Sequence, residues 1–526
     1  MKKTTSIIIA ITMLVLLLPA LLFLPACNST LELLPDTMLV WALPYTWGEF
    51  PGAPLIDEWE RAVVRAIRER GGNFGVRVID IGDAYNISMW SDRINTQTGH
   101  NELIIEEINN GRQIDIASVI SNPLSLTGSV DAYFQMYQAG LTLQLCDFLQ
   151  SEEGIQLYEK FPPVVWDSMR INGEIHGFFI NFDFGKVAGY SMDERVAEQI
   201  DMPLLTNNLA DLIDLIPEDM DVSLGHGMTL SPQHAQFYNM VNIVSGITLE
   251  DNKVVSFMEH YLVNRYFEAI YNFDVFRTTN MSNPHISWGH IALNEILDPY
   301  TYSEIVAHVT TKPSVETSNT AIIINPQSDY TAEALQLITW LQTDNEFAHI
   351  FTFGEEGVHV RYEDGMAFNL LHPERYDHPD GILIEGFNMA ISSSFGTCYI
   401  TYPPFFFRGI GLNGVAQAHM ELMMTLESAP HTGFRFDVRG WEEIILEINT
   451  IIYGYKLQPC NMFSDFDPSP IPYMLRTPFA LGDDPDWEQT LANLNADLRA
   501  AGIGELIDEV QRQYDEWFAL HSPVNR

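Results

Sequence analysis

The chain has 526 residues, 46% hydrophobic and 18% charged, which provides for two or three domains' worth of core and excludes a disordered chain. Lys and Arg total 27 against 70 Asp and Glu, a formal charge of −43 that repels nucleic acid and the phosphates of an anionic bilayer. The imbalance comes from scarce lysine and not from packed acid runs, so it reads as the solubility of an exported body.

Lys2 and Lys3 open the chain, and a charge-free, mostly apolar stretch follows from Ile7 to Leu24, the layout of a signal peptide. An uncleaved membrane anchor of roughly 20 residues is the alternative; Pro19 weighs against it, because proline removes a helical hydrogen bond and kinks the helix. Leu24 and Ala26 ahead of Cys27 resemble the bacterial lipobox. That resemblance implies a signal peptide over 1–26, Cys27 as the lipidated first mature residue, a tether over 27–36, and a mature charge of −45 once Lys2 and Lys3 are removed. The other cysteines, Cys146, Cys398 and Cys460, share no CxxC or ligand spacing with it, so neither a zinc site nor a disulfide framework is supported. Buried free thiols are expected, with one disulfide left open outside the cell.

"TMLVWAL" (37–43) reads as a buried strand, followed by an aromatic, glycine-bearing loop, and "LIDEWERAVVRAIRER" is a helix that stops at Gly71-Gly72. "FGVRVIDIG" is the next strand, and "NELIIEEINNGRQIDIASVIS" gives helix, turn and strand. This alternation implies parallel strands with crossover helices, an α/β lobe whose ligands sit beyond the carboxyl ends of the strands. "NGE" (172–174) is a hairpin-like turn, "IHGFFINFDFG" an apolar strand, and a helix is expected after it, so the chain crosses into a second lobe near 181–186. Residues 205–270 read as mostly helical. "SNTAIIINP" (318–326) is a buried strand before the helix "TAEALQLITWLQTD"; "GFRFD" precedes a helical segment, and the chain ends in two helices joined at Gly502–Gly504.

The order of these pieces resembles the extracellular solute-binding proteins of sugar-type ABC importers, over most of the mature chain. "EEINNGRQIDIASV" is similar to that family's helix and Gly-x-x-x-Asp-Ile strand, and "LTLQLCDFL" to its leucine-rich stretch. "INGEIHGFFIN" resembles the hinge approach, with Glu174 and His176 replacing the usual lysine and tyrosine, and "AGYSMDERVAEQIDM" a helix start in which Ser191 and Met192 depart from the pattern. "TFGEEGVHVRYEDG" resembles a Gly-x-Glu-Gly-x-His-Tyr segment, the most specific of the set; "GFRFD" and the last helix complete a likeness to LipO-like lipoproteins. "VRGW" stands where that group shows a Pro-Ser-Pro run.

The resemblance implies an α/β, two-lobed periplasmic-binding-protein-like fold of type II, its lobes joined by a hinge, with a helical C-terminal part. Lobe 1 is expected over 37–182 plus 318–352, lobe 2 over 183–317 plus 353–480, and C-terminal helices over 481–526 packing on the lobes. It further implies capture of a carbohydrate between the lobes, delivery to ABC permease subunits, and residence on the outer face of the cell membrane through the lipid alone. A surface glycan-active enzyme and a ligand-presenting sensor partner are the alternatives.

Candidate ligand residues are Tyr45 and Trp47 after the first strand, Asn122 after "IDIASVIS", Asn181, Phe182 and Asp183 on the hinge, Trp288 just before an expected helix, and Glu356 in the Glu-Glu-Gly turn. Aromatic faces suit the C–H side of a sugar ring and polar side chains its hydroxyls. Each has a plainer use: covering a sheet end, turning the chain before Pro123, or filling core. Asp183, flanked by aromatics, is harder to bury unpaired. His285 and His290, His349 and His359, and His372 and His378 lack the spacing of paired metal ligands on one helix face, so no metal is expected. No cofactor is expected either, since there is no P-loop or Rossmann glycine motif, and no GxSxG elbow supports catalysis. Carboxylate pairs such as Glu355/Glu356 keep a glycosidase open.

Overall fold

A computed structural model describes residues 35–43, 53–80, 100–119, 131–179, 187–193, 223–224, 238–239, 247–256, 258–261, 264, 285–291, 305–309, 314–315, 321–358, 360–363, 366–369, 427–454 and 486–521. The first lobe begins with β1 (Met38–Leu43), α1 (Ala53–Glu69), β2 (Gly75–Asp80), α2 (His100–Asn109) and β3 (Ile116–Val119). β1 pairs in parallel with β2 from Met38↔Gly75 to Leu43↔Asp80, and with β3 at Trp41↔Ile116. Unbroken apolar runs such as MLVWAL suit strands covered on both faces. The stops are read off glycines: Gly71 (φ 83°) and Gly111 (φ 79°) take the left-handed conformation, and the next amides, of Gly72 and Arg112, reach back to the Ile67 and Glu107 carbonyls.

Next come α3 (Ala132–Gln138), the short α4 (Cys146–Leu149), α5 (Ile155–Lys160) and α6 (Pro163–Ser168), then a hairpin of β4 (Arg170–Ile171) and β5 (Glu174–Ile175). Its turn is Asn172-Gly173, both at positive φ (52° and 88°), the pair that a two-residue hairpin favours. The inserted segment carries β6 (Val187–Asp193), β7 (Ser223–Leu224), β8 (Tyr238–Asn239), β9 (Ile247–Glu250), β10 (Lys253–Ser256), β11 (His285–Ile291), β12 (Ile305–Val309) and β13 (Ser314–Val315). The chain then returns through β14 (Ala321–Ile324), α7 (Thr331–Thr343), α8 (Asn345–Phe353), the hairpin β15 (Val360–Glu363)–β16 (Met366–Asn369), β17 (Glu427–Ser428), α9 (Glu442–Gly454), α10 (Trp487–Ala500) and α11 (Ile503–His521).

The first sheet has the order β14-β3-β1-β2, so the chain leaves β1 to one side and comes back past it to β3. Right-handed crossovers then send α1 and α2 to opposite faces; α1 lies against α8, and α2 against α3. β14 closes the sheet antiparallel to β3, Ala321 facing Val119. One hydrophobic core joins Leu39 through Phe179 to Ala321 through Phe351, with Trp41, Tyr133, Trp166 and Phe347 all fully buried in it. A second sheet runs β12-β6-β11-β7, and a third β10-β9-β8.

One expectation needs correction. Within 205–270 the described residues form strands at Ser223–Leu224, Tyr238–Asn239, Ile247–Glu250 and Lys253–Ser256, with helical residues only at Tyr261 and Asn264; most of the remaining range lies outside the described residues. The reason is local: Asp251 and Asn252 both adopt positive φ (49° and 64°), making a tight turn that pairs Glu250 with Lys253. After the hinge approach the chain runs as β6, with Ser191 and Met192 inside the strand; the residues after Asp193, where a helix is expected, lie outside the described residues. Trp288 stands mid-strand in β11, where alternating residues Ile286 and Trp288 follow the two-residue period of a strand; the residues after Ile291, where a helix is expected, lie outside the described residues.

Candidate functional site

The registers bring the chain's departures to one edge of the first sheet. Asp80 faces Leu43, Ala321 faces Val119, and Ile322 faces Ser118. Phe178 bridges Ile322 on the outer side of β14, with amide–carbonyl bonds of 2.8 and 2.7 Å in both directions. Leu43, Asp80, Val119 and Phe179 therefore all end at the carboxyl edge of the parallel strands, and Ala321 re-enters there. That edge is also where the strand order reverses, between β1 and β3, the place where open α/β sheets hold ligands.

The edge is stiffened from inside. Trp41 Nε1 donates to Ser118 Oγ at 2.9 Å, tying β1 to β3 with both side chains fully buried. Asp131, where the described chain resumes after Val119, accepts from the Phe134 amide at 2.9 Å and caps α3. Its other oxygen takes Arg435, whose side chain is 3% exposed. Arg435 also donates to the carbonyls of Ser168 (3.2 Å) and Arg170 (3.3 Å) and lies over the Tyr133 ring, 4.7 Å from its centroid. Burial pushes the Tyr133 phenol well above the usual tyrosine range. The phenol donates to the Met169 carbonyl at 3.0 Å and accepts the His176 amide at 2.9 Å. His176 is held below the usual histidine range, chiefly by burial.

The opposite edge holds the Gly-x-x-x-Asp-Ile aspartate. Asp115 accepts from the Val40 amide (2.7 Å), Gln113 Nε2 (2.7 Å) and Ser328 Oγ (2.5 Å), so its carboxylate is structural and stands at the amino end of β3.

Of the sequence candidates, Cys27, Tyr45, Trp47, Asn122, Asn181, Phe182 and Asp183 lie outside the described residues. The described backbone places Leu43 and Val119, which precede Tyr45 and Asn122 in the chain, at one edge. Trp288 is on the second sheet, its backbone opposite Tyr190 of β6. Glu356 is exposed in the turn after α8, while Glu355 beside it is held by Arg65 at 2.7 and 2.8 Å. Sequence reasoning did not find Asp131 or the anchoring role of Arg435; the only signal was an arginine between two phenylalanines in "GFRFD". Cys146 is free and half-buried, its sulfur 3.4 Å from the Ile175 amide. Cys398 and Cys460 lie outside the described residues. Among the described residues no helix is long and apolar enough to cross a membrane, and no group of three or more His, Cys, Asp or Glu is placed to hold a metal.

Solved structures share this architecture. The N-glycan transport solute binding protein of Streptococcus pneumoniae aligns at a TM-score of 0.59 and 14% identity, over 92% of this chain and 99% of that one. The same protein in complex with Man1GlcNAc aligns at 0.55, again at 14% identity, over 92% and 100%. The fold is that of a solute-binding protein. An HMO-binding, ABC-transporter-associated solute binding protein of Bifidobacterium longum infantis shares it at a TM-score of 0.51 and 9% identity, over 92% and 99%. At these identities the likeness concerns the fold, and the solute-binding fold is the expected α/β architecture. A domain of unknown function, DUF3502, matches residues 473–519, which include α10 and most of α11. No curated protein matches the chain.

Proposed function

We propose that this protein is an extracellular, lipid-anchored solute-binding protein of an ABC transporter, which captures a neutral oligosaccharide between two lobes and presents it to the membrane permease. The observation that carries the reading is the gathering of Leu43, Asp80, Val119, Phe179 and Ala321 at one sheet edge, in a fold shared over nearly the whole chain with glycan-transport binding proteins. Two chain crossings at one edge suit lobes that close like a hinge on a ligand. The core limits, Leu39 to Phe179 and Ala321 to Phe351, support lobe 1 over 37–182 plus 318–352. Lobe 2 is then 183–317 plus 353–480, with 481–526 packing on the lobes.

Tyr45, Trp47 and Trp288 are the proposed stacking residues; Asn122, Asn181, Phe182, Asp183 and Glu356 complete the set. The protein acts as a binder and not as a hydrolase. Thermal shifts against an oligosaccharide panel test the reading, since a ligand at 100 times its Kd adds about 2.7 kcal/mol; small-angle scattering with the hit should show compaction. No shift with any glycan, or turnover of one, would refute it. Lipidation is tested by intact mass: cleavage away from Cys27 without added lipid ends that part.

A further inference from the structure

The C-terminal helices make contacts on two sides. On one side the 429–438 segment sits on the first lobe: Arg435 joins Asp131, the Ser168 and Arg170 carbonyls and the Tyr133 ring, and Gln138 Nε2 reaches Asp437 at 3.1 Å. Gln513 of α11 then clasps the same segment, accepting from the Asp437 amide at 2.8 Å and donating to its carbonyl at 3.2 Å. Phe434 stands edge-on to Tyr514, centroids 5.4 Å apart, and is also 5.8 Å from Trp517.

On the other side the same two helices hold the β9–β10 hairpin, which the chain order puts in the inserted segment. Gln511 accepts from the Val254 amide at 2.6 Å and donates to the Asn252 carbonyl at 3.3 Å. Tyr514, buried against Phe434, extends its hydroxyl to Asn252 Oδ1 at 3.2 Å. Arg499 pairs with Glu259 at 2.5 Å, and Asn495 donates to the Met258 carbonyl at 3.2 Å. Tyr514 thus belongs to both seats, and the hairpin's turn meets α11 through Asn252, whose carbonyl takes Gln511 and whose Oδ1 takes Tyr514.

We infer that α10 and α11, within the segment matching a domain of unknown function, form a brace that couples the β9–β10 hairpin to the first lobe through Gln513, Tyr514 and Arg435. The hairpin is then mechanically part of the first lobe although its sequence lies in the second. Native-state hydrogen exchange on the full, ligand-free chain tests this without reference to any ligand. Arg435→Gln and Gln513→Ala touch no hairpin residue, yet each should speed exchange in peptides covering 247–256 at least tenfold while β1–β3 peptides stay protected. If Arg435→Gln fails to fold, Gln513→Ala decides alone. Unchanged hairpin exchange in either folded variant overturns the brace.

Discussion

Arg65 grips Glu355 with two parallel bonds, Nε to Oε1 at 2.7 Å and Nη2 to Oε2 at 2.8 Å, across 290 residues of chain. The pair fastens the turn after α8 to α1, so Glu355 is a strut and not one half of a catalytic carboxylate pair with Glu356. Both partners keep about a third of their side chain in water (33% and 27%), so screening trims the pair to about 0.5–1 kcal/mol even with bidentate geometry. Glu355→Gln should lower the urea-unfolding free energy by that amount and lose the difference in high salt. Glu356→Ala should leave stability unchanged. Equal losses in both would refute the assignment.

Gly177 lies one residue before the Phe178 bridge, where a Cβ would stand 2.9 Å from Tyr133, 3.1 Å from Ala321 Cβ and 3.1 Å from the Ile322 carbonyl. Gly177→Ala must push β14 or Tyr133 aside, at about 1–3 kcal/mol. Gly504, inside α11 with open space around it, is the contrast: Gly504→Ala should stabilise by about 0.4–1 kcal/mol, because alanine has less freedom to lose on folding. Chemical denaturation of the two variants should therefore shift in opposite directions.

His431 is buried, and burial lowers its pKa to about 4. The unfolded imidazole, near 6.5, takes a proton first as pH falls, so its contribution to stability is complete above about 6.5 and is lost from there down towards 4. Between pH 7 and pH 5 this group alone should cost about 2 kcal/mol. Urea midpoints of wild type and His431→Gln at the two pH values check it; an identical fall in both would show that other groups carry the acid sensitivity.

Ligand affinity, measured by calorimetry on a glycan found in the panel, should fall by about 1–3 kcal/mol when the principal stacking residue among Tyr45, Trp47 and Trp288 becomes alanine. A neutral ligand has no net charge to screen, so affinity should be flat between low and high salt. Normal binding by all three variants, or a steep salt dependence, would move the cleft elsewhere or make the ligand charged.

Local chemistry determined the first lobe. The runs MLVWAL and AIII read as buried strands and GVRVID as an edge strand with Arg77 exposed, and the glycines at 71, 111 and 173 mark turns of this lobe because each takes a positive φ that side chains resist. The hairpin at Asp251-Asn252 escaped because it lacks that glycine, so the surrounding ITLE and KVVS lost their boundary and read as helix. Only the tertiary structure decided that Asp115 is a structural acid, that Glu355 belongs to Arg65, and that Arg435 is the anchor of the C-terminal segment. Each depends on partners 75, 290 and 304 residues away, and separation in sequence carries no distance. The strand edge is likewise a product of register: composition placed Tyr45 and Asn122 after two strands, but pairing between those strands put both exits side by side.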